Sequence, residues 1–502
     1  MKIAIETPTK AFILQSTPEE MRVLVSSLTY AHTGNAHLVK RHYDNHWYRS
    51  SNPQKWEAQL ADLKSKLKFT LVFEENGRKY IRPGSIPYLA SVINIEVENK
   101  VVYPEPKKMA WKKPLPFELY PYQDESWINF IKEKHGNANL CTSAGKSATI
   151  LKACKELGLR IAIVVPSKGI FLEMLELFEF HFGKNKVGTF GNGSKKIGKQ
   201  FTICICDSLV NVKPDTEEWN FFNSLDGLII DESHILGSET LEDICHNVLS
   251  NIPYRFFLSG TQTRGDGTLM LLQSVIGKTV CTLTTKEAVE KGYICNHEYT
   301  IVEVESSEPN KDPKDPLESK RVHVLRNRNI AFFIAKYCNV VCKATGRQVL
   351  VLVEELDQIV MLSKLLTVPY VYAHSETKPA RLAELGLQKV KTKESIDQFN
   401  RNDNASVIMA TSVAHVGVNI YPTHTTFNWI AGTSEIKTKQ AVVGRSVRKL
   451  SSSPYADKCV PKPKADIFDF LVKDVVLQKR HLAERISYYK ESGTSIKFIK
   501  IS

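Results

Sequence analysis

Two short runs in this chain could do chemistry together. Residues 141–147 read CTSAGKS and end in Gly-Lys-Ser; residues 229–234 read IIDESH, an apolar stretch closed by two carboxylates. In the first run Gly145 lets the backbone come close to a phosphate. Successive N–H groups and the N-terminus of a following helix would bind the phosphate oxygens. Lys146 would reach the β- and γ-phosphates of a nucleoside triphosphate, and the Ser147 hydroxyl would ligand Mg²⁺. In the second run the apolar stretch reads as a buried strand whose carboxyl end is where α/β sheets bind ligands. Asp231 would hold Mg²⁺, and Glu232 would polarise the attacking water. A third run, QAVVGRSVRK at residues 440–449, sets Gln440, Gly444, Arg445 and Arg448 in the pattern Q-x-x-x-G-R-x-x-R. Its two arginines share a helix face, and an arginine presented there can neutralise charge developing on the γ-phosphate. Each run alone has a plainer reading: a turn before a helix, acids favouring a helix dipole, a solvated basic helix. In this order they imply ATP hydrolysis coupled to work on nucleic acid. One departure is that Leu140 stands where the phosphate loop's usual first glycine would be.

Other elements must position these residues, and size bounds them. At ~150 residues per domain, 502 residues make about three domains. A 42% hydrophobic and 24% charged composition is that of a folded soluble chain. No run of ~20 apolar residues exists, so no membrane span is expected. The start, MKIAIETPTKAF, lacks the apolar core of a signal peptide. A cytoplasmic protein is therefore expected, in the host cytoplasm if the source is a phage. The ten cysteines are scattered, which suits reduced thiols. Cys204 with Cys206, and Cys338 with Cys342, read as small core residues rather than metal ligands. The net charge of +13 suits a polyanionic partner, because each phosphate contact releases counterions.

Three blocks divide the chain. Residues 1–112 carry no catalytic motif but hold 17 Lys and Arg against 11 Asp and Glu, nearly half of the basic excess. Aromatics interleave with that charge in HLVKRHYDNHWYR, at residues 37–49, and TLVFEE and KYIRP read as strands joined by a turn at Asn76-Gly77. This block is expected to be an accessory nucleic-acid-binding domain in which Tyr43, Trp47 or Tyr48 stack on bases; the rival is a small α/β element that packs on the motor. Residues 113–285 alternate apolar strand-like runs (RIAIVVP, FTICIC, GLIID, YRFFLSG) with helical patterns, and residues 286–502 do so again (RQVLVLV, YVYAHS, SVIMATS, FNWIAG, ADIFDFL). That alternation predicts two parallel sheets covered by helices. Residues 306–321, rich in Pro, Asp, Lys and Ser, are expected to be a mobile loop or insertion.

With these motifs in order, residues 117–450 resemble the superfamily-two helicases. The resemblance implies two tandem RecA-like parallel-sheet lobes preceded by the small basic α/β domain. It implies that Phe117, Tyr120 and Gln123 form the adenine-recognition motif, and that Thr142, Ser143, Ala144, Gly145, Lys146 and Ser147 cradle the nucleotide. Pro166 and Ser167 in VVPSKG, and Asp207 and Ser208 in CDSLV, match the motifs that contact the strand backbone. Ser259, Gly260 and Thr261 in LSGTQTR match the motif that links hydrolysis to strand movement, and Gln440 joins them in coupling. VLVEE at residues 351–355 and His374 and Ser375 in YAHS fall where the fourth motif and its companion lie. ATSVAHVGVNI fits motif V, with Thr411 and Ser412 toward nucleic acid and Gly417 and Asn419 toward nucleotide. Asn419 stands where that motif usually carries Asp, and the Ser-Gly-Thr form replaces Ser-Ala-Thr. More narrowly, the N-L-x-T-S-A-G-K-S run, the Ser-Gly-Thr motif and the basic N-terminal block resemble the phage UvsW-type DNA helicases, which rewind and unwind branched intermediates.

The expected activity is therefore an ATP- and Mg²⁺-dependent DNA helicase acting on forks, Holliday junctions or R-loops in replication, recombination and repair. Branched DNA is the expected partner, RNA within R-loops a further one, and the expected state is a monomer. The rivals are an RNA helicase of the same superfamily, a double-stranded DNA translocase that does not separate strands, and a nucleic-acid-binding protein with an inactive ATPase.

Overall fold

The structure, a computed structural model, describes every residue except 32, 66, 234–237, 261–267, 310, 312–314, 376–377, 412–418, 431, 433–437, 474 and 502. The chain divides into two compact units. One is Met1–Leu140 with Lys146–Thr282; the other is Cys141–Gly145 with Leu283–Ser502.

The first unit holds two main sheets. In the N-terminal one the hairpin Lys2–Thr7/Lys10–Gln15 sits between the hairpin Val72–Glu75/Arg78–Ile81 and the strand Glu96–Asn99. Asn76 and Gly77 turn the second hairpin with φ of 50° and 73°, the two positive values that a two-residue turn matched to strand twist requires. The basic aromatic run is helical, over Thr33–Tyr43 and His46–Ser51.

This N-terminal block shares a core with a later helix of the same unit. Ile3, Leu24, Leu28, Ile81 and Leu89 cluster with Leu271 and Met270 of the helix Leu269–Ile276. Arg82 ion-pairs with Glu242 of the helix Ser238–Asp243. Gly84 packs so closely that a Cβ built on it would meet the Ser274 carbonyl oxygen at 2.2 Å. Gly84→Ala is therefore expected to lower stability by about 1–3 kcal/mol, read as a drop in the thermal midpoint. An unchanged midpoint would mean that this seam is loose.

The larger sheet of the first unit has the strand order Ser194–Lys196, Val187–Gly191, Phe201–Ile205, Ile161–Val165, Gly227–Ile230, Tyr254–Ser259, His135–Leu140, Thr279–Leu283. From Val187–Gly191 to His135–Leu140 every pairing is parallel. The strand before the phosphate loop, HGNANL, has almost no apolar signature. Small residues suit it: a Cβ on Gly136 would meet Val280 at 2.7 Å, and Asn137 donates its side-chain amide to the Gly277 carbonyl at 3.1 Å.

In the second unit seven strands, all parallel, run in the order Tyr370–Ala373, Val407–Ala410, Gln348–Val353, Thr423–Trp429, Lys464–Val472, Asn296–Val304, Ile496–Lys500. The helix Arg328–Thr345 covers this sheet with Ile330, Ile334 and Cys338 in its core. Part of the expected loop at 306–321 is instead helical. Asp315 caps Pro316–Lys320 by accepting from the Leu317 N–H, and Lys320 and Arg321 pair with Glu354 and Glu355 at 2.7 and 2.5 Å. Proline at the first helical turn and these ion pairs supply what the composition lacks. Among the described residues no helix is long and apolar enough to cross a membrane.

Candidate functional site

In the first unit the sheet order brings the acid run and the phosphate run close. Gly227–Ile230 and His135–Leu140 flank one strand, Tyr254–Ser259, so the acids, Ser259 and the start of the phosphate loop leave neighbouring strands at their carboxyl ends. Lys146 begins the helix Lys146–Leu157, and Ser147 comes next to it. The ammonium of Lys146 lies 2.9 Å from Glu232 Oε1, with both side chains nearly buried, at 9% and 13% exposure. A buried lysine so placed needs a counter-charge, and Glu232 supplies it.

The backbone aims that carboxylate. Glu232 has φ of 51°, a left-handed conformation that a non-glycine residue adopts at a cost and that clusters at functional sites. The turn is pinned on both sides: Asp231 N–H donates to the Val164 carbonyl at 3.0 Å, and Ser233 N–H to the Leu258 carbonyl at 3.1 Å. Asp231 Oδ1 accepts from the Glu232 N–H at 2.9 Å. Burial pushes the Asp231 carboxyl well above the usual range; the Glu232 carboxylate adds to this, and Lys146 opposes it. Two carboxylates in a buried place favour a cation beside them. The donor set, Asp231 carboxylate and Ser147 hydroxyl, is hard oxygen, which fits Mg²⁺.

The preceding loop, Cys141–Gly145, groups with the second unit. Ser143 and Gly145 have φ of 69° and 72°, and the Ala144 N–H donates to the Cys141 carbonyl at 3.2 Å. Ser143 Oγ donates to the Gly444 carbonyl at 2.6 Å. Of the arginine pair, Arg445 is 5% exposed, within the short helix Gly444–Ser446, where Ser446 Oγ bonds Thr426 Oγ1 at 2.6 Å. Arg448 donates from its guanidinium to Asn419 Oδ1 and lies 5.7 Å from the centre of the Tyr421 ring. Asn419 is thereby tied to an arginine of the third run.

The remaining expected site residues are placed along both units. Phe117 is 55% exposed, whereas Gln123 is buried and its Oε1 accepts from the Tyr120 N–H at 2.9 Å, closing the start of the helix Pro121–Glu133. Pro166 and Ser167 come after the strand Ile161–Val165, with Ser167 capping Lys168–Phe182. Asp207 and Ser208 lie in Cys206–Leu209, at the carboxyl end of Phe201–Ile205. Ser259 ends its strand, 1% exposed, and Gly260 is next. His374 is buried and stacks on Tyr372 at 5.8 Å; its ring nitrogens have no hydrogen-bond partner among the described residues. Ser375 beside it is exposed, and Thr411 is buried, its N–H donating to the Ala373 carbonyl at 3.1 Å. His234, Thr261, Ser412 and Gly417 lie outside the described residues, as do the side chains of Gln440 and Trp47.

In the N-terminal block the rings largely engage one another. His42 stacks on buried Trp56 at 5.3 Å, the Arg49 guanidinium lies 4.8 Å from the Trp56 ring, and Tyr43, half-exposed, tilts against the same ring. Trp56 is the residue that the aromatic run does not reveal, because it comes from the next helix, Pro53–Ser65. Lys462 escapes sequence reasoning in the same way, and no local pattern marks it.

A family model described as "Type III restriction enzyme, res subunit" matches residues 116–264. A curated relative, "DNA 3'-5' translocase XPB2" of Sulfurisphaera tokodaii, is 29% identical over 236 residues, 47% of this chain. The chain spans about half the length of that relative, 51%. Among solved structures, Mss116p bound to ssRNA and AMP-PNP matches 76% of this chain and 74% of its own, with a TM-score of 0.52 at 15% identity. T4 UvsW matches over 99% of both chains at 15% identity, with a TM-score of 0.43 that is too low to fix a common arrangement. The chain resembles the superfamily-two helicases, and its sheets are those of tandem RecA-like lobes with an N-terminal α/β block.

Proposed function

We propose that the chain is an ATP-driven superfamily-two motor that acts, as a monomer, on branched DNA (forks, Holliday junctions, R-loops) in replication, recombination and repair. The observation that carries the ATPase reading is the buried Lys146–Glu232 pair beside Asp231, at neighbouring carboxyl ends of a parallel sheet. When ATP arrives, Lys146 exchanges Glu232 for a γ-phosphate oxygen. Glu232, released from the ammonium, is then the group that orients and polarises the attacking water. Asp231 and Ser147 would hold Mg²⁺, which when bound supplies positive charge to the β- and γ-oxygens. Arg445 and Arg448 supply further charge as the γ-phosphate leaves. Phe117, Tyr120 and Gln123 take the adenine. The backbone of Ser233 joins the acids to the strand that ends in Ser259, just before Gly260, a route for hydrolysis to be felt by nucleic acid.

DNA as the track is supported by the name of the curated relative, a DNA translocase, and by the restriction-enzyme family model. The basic N-terminal block supports a branched substrate, since a motor that grips one strand needs a second contact to prefer a junction. Exposed Lys40 and Arg41, beside half-exposed Tyr43, are its contacts to phosphate and base. The relative's name also favours a second reading, a double-stranded DNA translocase that leaves the strands paired.

A panel of labelled substrates incubated with ATP decides: fork, four-way junction, R-loop, plain DNA duplex and RNA duplex. Strand products from the branched DNAs are expected. Movement without strand separation supports the translocase reading, and activity on the RNA duplex alone overturns the DNA assignment. Lys40→Ala with Arg41→Ala is expected to weaken fork binding most at low salt, lowering the slope of log affinity against log salt by ~0.9 for each phosphate no longer neutralised. An unchanged slope removes this face from substrate binding, with ATPase activity on plain DNA the control.

A further inference from the structure

Lys462 precedes the strand Lys464–Val472, in a loop with no motif of its own. Its ammonium donates to the Arg448 carbonyl at 2.8 Å and to the Tyr421 carbonyl at 3.3 Å. Arg448 turns its guanidinium to Asn419 Oδ1, two residues before Tyr421, and over the Tyr421 ring. The contacts close a ring: Lys462 to the backbone of Arg448, along its side chain to Asn419, along the chain to Tyr421, and back to Lys462. A second clamp lies beside it, where the Cys295 N–H donates to the Val447 carbonyl at 2.7 Å and Cys295 Sγ to the Lys462 carbonyl at 3.6 Å. The end of the arginine run is thus held at two successive carbonyls, from two segments far apart in the sequence.

A half-buried ammonium next to a guanidinium is a costly arrangement. Burial and Arg448 push Lys462 down to about 7, with Cys295 acting the other way. Two carbonyl acceptors offset part of that cost.

We propose that Lys462 is a positioning residue for Arg448. By tying the Arg448 backbone to the Asn419–Tyr421 segment, it fixes where the guanidinium stands when it acts on the γ-phosphate. This rests on the reading of Arg448 as a γ-phosphate residue. Misplacing a reacting group by about 1 Å costs up to ~10²-fold.

The test uses the full chain with saturating DNA and compares kcat and KM for ATP in Lys462→Met, Lys462→Arg, Arg448→Ala and the double variant Lys462→Met/Arg448→Ala, with thermal melting of each. Lys462→Met is expected to lose up to ~10²-fold in kcat with KM little changed. Lys462→Arg, which keeps its donors, is expected to recover much of that. The double variant is expected to be no slower than Arg448→Ala alone, because a residue that acts through another adds nothing once the other is gone. If Lys462→Met does not fold, Lys462→Gln takes its place, with a kcat loss again expected. A normal kcat in the lysine variant while Arg448→Ala is inactive overturns the proposal alone, as do losses that multiply in the double variant. Normal turnover in Arg448→Ala overturns the reading of Arg448, and the proposal with it.

Discussion

Replacing Lys146 with alanine is expected to abolish nucleic-acid-stimulated ATP turnover while leaving DNA binding largely intact. Losing a single preorganised donor at a developing charge costs ~10²–10³-fold, and Lys146 has a second role, as the partner of Glu232 at 2.9 Å. Without it the Glu232 carboxylate and the buried Asp231 lose the cation that balances them. The lysine loss and the acid loss can be told apart. Glu232→Gln keeps a neutral partner for Lys146 and should bind ATP yet stall before hydrolysis, whereas Lys146→Ala should bind ATP weakly. Phosphate release measured with and without DNA, beside direct nucleotide binding, checks both. Near-normal stimulated turnover in either variant means that this pair is not the ATPase site. DNA affinity is the control, since the exposed basic residues of the N-terminal block are distant in sequence from this pair and their charge is untouched.

Much of the fold, and the placement of part of the candidate site within it, is legible in the sequence, for a physical reason. Strands buried on both faces of a parallel sheet must be continuously apolar, so Ile161–Val165, Phe201–Ile205, Gly227–Ile230 and Gln348–Val353 announce themselves as runs of Ile, Val, Leu and Phe. Asp231 and Glu232 come directly after such a run and are found where it predicts. The strand His135–Leu140 is largely buried but hidden, because the tight approach of Val280 admits only Gly136 there and polar Asn137 is satisfied by the Gly277 carbonyl. The seam between the N-terminal block and the helix Leu269–Ile276 is hidden too. It depends on Arg82 meeting Glu242, 160 positions away, on Gly84 meeting Ser274 and on Leu271 joining the N-terminal core, and no local spacing encodes that. The positive φ of Glu232 is likewise a property of the turn that Val164 and Leu258 hold, and not of the DESH letters. Lys462 reaches partners 14 and 41 positions away, from a run of prolines and lysines that reads as an ordinary loop.

Arg448→Ala is expected to cut turnover by ~10³-fold or more with a much smaller effect on ATP affinity, the result for a group whose charge counts mainly in the transition state. Three observations support Arg448 as the finger of the pair. Arg445 is 5% exposed and sits in the helix Gly444–Ser446, whereas Arg448 lies just beyond that helix and is less buried. Its side-chain partner, Asn419, is neutral where motif V usually carries Asp, so the hydrogen bond orients the guanidinium without cancelling its charge. The Tyr421 ring 5.7 Å away limits its swing. Arg445→Ala is expected to weaken ATP binding as well as turnover, because a buried arginine near Ser446 also supports the local fold. Arg448→Lys separates charge from shape: a point charge on a flexible stem lacks the planar fork that meets Asn419 and phosphate together, so most of the loss should persist. Single-turnover phosphate release with saturating ATP, run beside nucleotide binding for all three variants, gives the split. Equal losses in rate and affinity for Arg448→Ala would make it a binding residue, and an unchanged rate in both alanine variants would leave the run at residues 440–449 a structural segment with no part in hydrolysis.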